Sequence, residues 1–117
     1  MRHLSKVMDE FTAEIQVVGQ NHKPWFFTLE AMIDTGAKRS SIDTKLAELL
    51  ALEEVGEIKV SNAMGKQARP IVKIKLFHNG EPYELEVSTT DRSQLSYPMI
   101  LGRDFLSLWK SMPTEDQ

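Results

Sequence analysis

The chain has no cysteine. Disulfides, thiolate nucleophiles and Cys-bearing zinc sites are therefore excluded, and the fold must be held by packing or by assembly. Neither charge sign dominates. Fourteen Lys and Arg stand against 17 Asp and Glu, a net charge of −3, and the cations are scattered. There is no basic block and no aromatic–basic interleaving of the kind that marks nucleic-acid binding. No apolar run is long enough to span a bilayer, and the start, MRHLSKVMDEF, lacks the apolar centre of a signal peptide. The expectation is a cytoplasmic protein with no nucleic-acid or membrane partner. Histidine is scarce as well. His3, His22 and His78 form no close ligand pair and no His-Glu-x-x-His helix. Each reads as a solvated terminal or loop residue, so no metal is expected. A Gly-rich phosphate loop with a Lys is also missing, which leaves no cofactor to expect. Internal repeats, linkers and low-complexity tracts are absent.

What is present is ordinary in bulk: 117 residues, 41% hydrophobic and 26% charged, the composition of one soluble domain with a modest core. The information lies in the order. Thr12–Gly19, TAEIQVVG, alternates apolar Ala13, Ile15 and Val17 with polar neighbours, the period of a strand. The turn cluster GQNHKP leads to a second strand with Trp25, Phe27, Leu29, Ala31 and Ile33 on one face. Residues 42–52 place Ile42, Leu46, Leu49 and Leu50 at helical spacing, behind a β-prone RSSID that suits a short strand. Residues 55–63 read as a strand, AMGKQ as a tip, and ARPIVKIKLFH as the returning strand. In that return Val72, Ile74 and Leu76 face one way. His78-Asn79-Gly80-Glu81 is a strong tight-hairpin signal, and YELEVSTT is its partner, with Tyr83, Leu85 and Val87 aligned. DRSQLSYP is a loop, MIL a short apolar strand, and RDFLSLW a short helix after Gly102. Trp25 and Trp109 are expected to pack, Trp109 anchoring that helix. The tail from 110 to 117 is polar. The sum is an all-β chain with one or two short helices, which argues a small closed barrel or a folded-over sheet.

The chemistry rests on AMIDTGAKRSS, residues 31–41, where an apolar strand ends on a carboxylate followed by Thr35 and Gly36. A carboxylate at such a place needs hydrogen bonds to hold it. Gly36 lets the backbone turn tightly so that its N–H can point back at Asp34. Alone, Asp-Thr-Gly is more often a plain strand-ending turn than a catalytic one. The second element is MILGRD, residues 99–104, an apolar strand that breaks at Gly102 into a helix.

Together, IDTGA at 33–37, VSNAMGKQA at 60–68, the HNGE hairpin and MILGRDFL at 99–106 resemble the retropepsin-like aspartic peptidases over residues 12–108. The later segments are similar to a bacterial branch labelled ATP-dependent zinc proteases, although zinc and ATP find no support among these residues. The resemblance implies an acid-protease barrel covering residues 1–117, working as a two-fold homodimer on an extended peptide. One Asp-Thr-Gly supplies one carboxylate, whereas the chemistry needs two that share a proton. A chain this short without a repeat obtains the second only from another copy. Asp34 would then be the acid/base, with Thr35 and Gly36 its supports. Ala37 and the tip residues Ala63, Met64, Gly65 and Lys66, read as a flap, would contact substrate. Gly102, Arg103 and Asp104 would be structural supports.

Three departures from the patterns of these relatives bear on this. Lys38 stands where those relatives carry an Asp that pairs with the late Arg, so Arg103 needs another acid: Asp104, Asp43 or Glu30, with the DRS at 91–93 a further candidate for the network. Ala37 lacks a hydroxyl that pepsin-like enzymes use near the acid, so activity is expected closer to neutral pH. The polar tail lacks the apolar strand that locks retroviral dimers, so the dimer contact must differ, with LSKVMDEF contributing. The alternative reading is a catalytically silent dimer of the same fold that binds a peptide or protein partner. A narrower variant of the first is an enzyme that cuts only itself or one partner.

Overall fold

The computed structural model describes residues 11–20, 25–63 and 65–111. The expectations placed on His3, His22, Met64, the N-terminal LSKVMDEF up to residue 10 and the tail from 112 lie outside them. Among the described residues, seven strands and two helices follow in order: β1 (Thr12–Gly19), β2 (Trp25–Ile33), β3 (Ser41–Asp43), α1 (Thr44–Leu49), β4 (Glu53–Asn62), β5 (Gly65–His78), β6 (Glu81–Thr90), β7 (Met99–Leu101) and α2 (Arg103–Ser111). The sheet order is β1-β2-β7-β3-β6-β5-β4, and β1 also pairs with β5 at Gln16↔Phe77 and Val17↔Leu76. That last pairing closes six strands into a barrel and leaves β4 outside it, paired among the described residues with β5 alone.

Alternation builds the interior. Ile15, Val17, Ile42, Leu50, Ile74, Leu76, Val87, Met99, Leu101 and Phe105 are fully buried. Each large aliphatic removed from water in this way contributes about 1.5–3 kcal/mol. The barrel's outer face carries the residues between them, for example Lys73 and Lys75 opposite Glu86 and Glu84. The β5–β6 hairpin turns on Asn79 and Gly80 at φ 53° and 79°, the paired left-handed geometry that Asn-Gly supplies.

Two local expectations change. The helix behind the short strand β3, which RSSID suits, begins at Thr44, where the Asp43 carboxylate caps it by accepting from Leu46 N–H at 3.2 Å. Its inward face is Leu46, Ala47 and Leu50, and Leu49 falls off that face to 59% exposure. His78 is not a solvated loop residue. It ends β5 with an inward side chain, edge-on to Phe105 at 5.9 Å and Trp109 at 5.2 Å. Trp109 does pack on the last helix's own Phe105, yet 42% of it remains exposed.

Candidate active site

Strand β7 lies between β2 and β3. It runs parallel to β2 (Met32↔Ile100, Ile33↔Leu101) and antiparallel to β3 (Ser41↔Ile100, Ile42↔Met99). The loop joining β2 to β3 therefore has to cross the end of β7, and Asp34 opens that loop. The Asp34 N–H donates to Leu101 O at 3.0 Å, and the Ala37 N–H returns to Asp34 O at 3.1 Å, closing a tight turn. Within it the Gly36 N–H donates to Asp34 Oδ1 at 2.9 Å. This fixes one oxygen of the carboxylate, and among the described residues no donor is bonded to the other. A Cβ on Gly36 would approach that same Oδ1 to 3.3 Å, which is crowded. Asp34 is half-buried, while Thr35 and Gly36 are exposed. Such a turn presents a carboxylate, a hydroxyl and a backbone N–H at one rim of the barrel.

The second motif closes on the first. The Arg103 N–H donates to Ala37 O at 2.9 Å. Gly102 is buried against the same loop, and a Cβ there would meet Ala37 O at 2.7 Å and Arg39 O at 3.2 Å. The requirement is close approach of two backbones, not a left-handed conformation. Asp104, in the first turn of α2, accepts from Ser40 N–H at 3.0 Å and from Ser40 Oγ at 2.6 Å. The three carboxylates considered as partners for Arg103 are thus all held by other donors. Asp104 takes Ser40, Asp43 takes Leu46 and Arg92 N–H, and Glu30 takes Thr12 Oγ1.

Ser40, fully buried at the hinge between the Asp-Thr-Gly loop and β3, went unnoticed in the sequence. Its partner stands 64 residues further on. The DRS segment divides its roles. Asp91 accepts from Ser93 N–H and Oγ, which holds its carboxyl below the ordinary value. Arg92 is buried, its Nε donating to Tyr97 O at 2.9 Å. Burial pushes its guanidinium down, and Asp43 offsets part of that.

The hairpin between β4 and β5 projects from the barrel. Asn62 pairs with Gly65, so the turn is shorter than AMGKQ suggested. Ala63, Gly65 and Lys66 are exposed at the tip. Lys38 and Arg39 are exposed and border an open cleft of about 590 Å³ with Ile58, Leu85 and Leu108. Among the described residues, no three His, Asp or Glu side chains gather to hold a metal ion. Nor is any helix among them long and apolar enough to cross a membrane.

Residues 45–109, more than half of the chain, match the RimB-like family model, described as retropepsin-like aspartic endopeptidase RimB. The chain belongs to that family. The matched segment begins after the Asp-Thr-Gly loop and takes in the hairpins, β7 and α2. Solved structures extend the likeness to the whole barrel. EIAV protease in complex with an inhibitor superposes with a TM-score of 0.64 at 19% identity, over 98% of this chain and 99% of that one. The simian foamy virus protease gives 0.63 at 14%, over 89% of this chain and 100% of the other. A retropepsin-like aspartic protease from Rickettsia conorii gives 0.52 at 15%, over 92% and 89%. At these identities the superpositions establish the fold. Comparison with curated protein sequences gives no match. The family's retropepsin-like label stands; the zinc label has nothing here to support it.

Proposed function

We propose that this chain is an aspartic endopeptidase that works as a two-fold homodimer. Asp34 of each copy faces the other across the axis, and the two carboxylates share one proton because both cannot readily be charged at that distance. The ionised member takes a proton from a water molecule; the protonated member polarises the peptide carbonyl. The titration then belongs to the pair. Thr35 braces the two loops across the axis, and Gly36 N–H holds one carboxylate oxygen in place. The substrate lies extended, so that strand-like hydrogen bonds secure its backbone and alternate side chains meet the walls. The tip from Ala63 to Lys66 closes over it and excludes water. Proteolysis in cis or on a single partner, in the cytoplasm, is the narrowest form of this activity.

The observation that carries the reading is the turn at Asp34. A family of aspartic endopeptidases needs a positioned carboxylate, and here one is oriented by the N–H of Gly36, two residues on. A single such turn per chain is what calls for the second copy.

The test is mass spectrometry of the purified protein incubated alone and with a peptide library, beside Asp34→Asn. Fragments from the wild type that vanish in the variant are expected. Identical fragment sets, or none from either, would remove the peptidase reading. Light scattering at high concentration addresses the assembly: a strict monomer rules out the shared-proton chemistry.

A further inference from the structure

We propose that Ser40 is a positioning residue for Asp34, acting through a clamp that its hydroxyl and N–H make to Gly102 and Asp104. The inference rests on the peptidase reading above for its catalytic consequence, and on geometry alone for the clamp. Ser40 is fully buried and uses all of its polar groups. Its hydroxyl donates to Asp104 Oδ1 at 2.6 Å, a short charge-assisted bond, and accepts from Gly102 N–H at 2.9 Å. Its N–H donates to both oxygens of Asp104 at 3.0 Å, and its C=O accepts from Ser88 N–H at 3.2 Å. Asp104 Oδ1 also receives its neighbour Phe105 N–H at 2.8 Å, so the carboxylate sits among neutral donors in the first turn of α2.

The loop from Asp34 to Ser40 is consequently tied to residues 101–104 at three points. Asp34 N–H reaches Leu101 O, Ala37 O takes Arg103 N–H, and Ser40 takes Asp104 and Gly102. Ser40 is the last tether before the chain enters β3. Losing its hydroxyl leaves Gly102 N–H buried without that acceptor and frees the loop's far end. Asp34 then depends on its own turn bonds. A misplacement of about 1 Å at a reacting group is enough to lower a rate roughly a hundredfold. Ser40 is fully buried and bonds only to the chain, so its effect is on where Asp34 stands.

Two measurements test this on the full chain. The first needs no activity: amide hydrogen exchange by NMR in wild type, Ser40→Ala and Ser40→Thr. Ser40→Ala is expected to speed exchange at Gly36 and Ala37 by about tenfold, the weight of one buried hydrogen bond, while the amides of β5 keep their protection. Ser40→Thr retains the hydroxyl and is expected to restore protection. The second is steady-state kinetics on a cleaved peptide, where Ser40→Ala is expected to lower kcat by roughly tenfold or more, with KM nearly unchanged. Should Ser40→Ala fail to fold, Asp104→Asn, which keeps one acceptor oxygen, takes its place with a smaller shift in the same direction. Unchanged exchange at Gly36 and Ala37, or acceleration spread evenly over the barrel, overturns the clamp. The predicted exchange pattern in the variants, together with a wild type that cuts nothing, leaves the clamp standing and removes the peptidase reading instead.

Discussion

Gly102→Ala puts the junction of the two motifs under direct strain. The added Cβ would lie 2.7 Å from Ala37 O, 3.1 Å from Arg39 C and 3.2 Å from Arg39 O, against an ordinary contact distance of at least 3.4 Å. All three atoms are backbone, so no side chain can swing aside. Either α2 or the Asp34–Ser40 loop must retreat by several tenths of an ångström. A retreat of that size carries the 2.9 Å bonds from Gly102 N–H to Ser40 Oγ and from Arg103 N–H to Ala37 O towards the limit of hydrogen bonding. Overpacking of this kind costs about 1–3 kcal/mol, and each weakened buried bond adds about 1 kcal/mol. The expected loss is therefore about 3–5 kcal/mol. A domain holds about 0.05–0.15 kcal/mol per residue in total, so the variant should still fold, with a Tm lower by roughly 12–20 °C. The assay is urea and thermal unfolding followed by circular dichroism, at one protein concentration. Gly56→Ala serves as the control, since a Cβ there meets nothing within 4 Å; its stability should stay within about 0.5 kcal/mol of wild type. If Gly102→Ala unfolds as late as Gly56→Ala, the loop and helix are not in the close contact described, and the account of how Asp34 is held is wrong.

Two other substitutions probe features away from the site. Ala51 follows α1 at φ 55°, with Leu52 N–H bonded to Ala47 O and its own N–H to Glu48 O, the paired bonds of a helix end that glycine favours. Ala51→Gly should raise stability by about 0.5–1 kcal/mol, the relief of the left-handed strain less the entropy glycine adds to the unfolded chain; a lower urea midpoint would contradict this. Burial pushes the His78 imidazole below its ordinary value of 6.5. Between that lowered value and 6.5 the unfolded chain binds more protons than the folded one. The contribution is thus fully present above pH 6.5 and is lost as pH falls through the folded value. His78→Phe should show a smaller drop in urea midpoint from pH 8 to pH 5 than wild type, and equal drops would show that His78 is not the group responsible.

Much of this molecule can be read along the chain, because strand alternation and tight turns are local. The limits of β1, the Asn-Gly hairpin, the short β7 and the break at Gly102 all follow from neighbours within a few residues. Asp34 and Gly36 are of the same kind, since the bond between them spans a single turn. The helix frame of α1 was less legible. Its register is set by the Asp43 cap, and four leucines and isoleucines in close sequence did not reveal that Leu49 would lie off the buried face. The burial of His78 is illegible for a related reason: a histidine beside a turn has no local signal of the two aromatic rings that α2 brings over it.

The sequence by itself determined which segments become strands, where the chain turns, and that an acid with a glycine behind it stands at a strand end. These depend on side-chain period and backbone freedom, which each segment carries alone. Only the tertiary structure decided that β7 threads between β2 and β3, that β5 closes the barrel on β1, and that Asp104 turns to Ser40 and not to Arg103. Those outcomes depend on which polar groups become buried together, and residues 64 positions apart have no means of announcing that before the chain has folded.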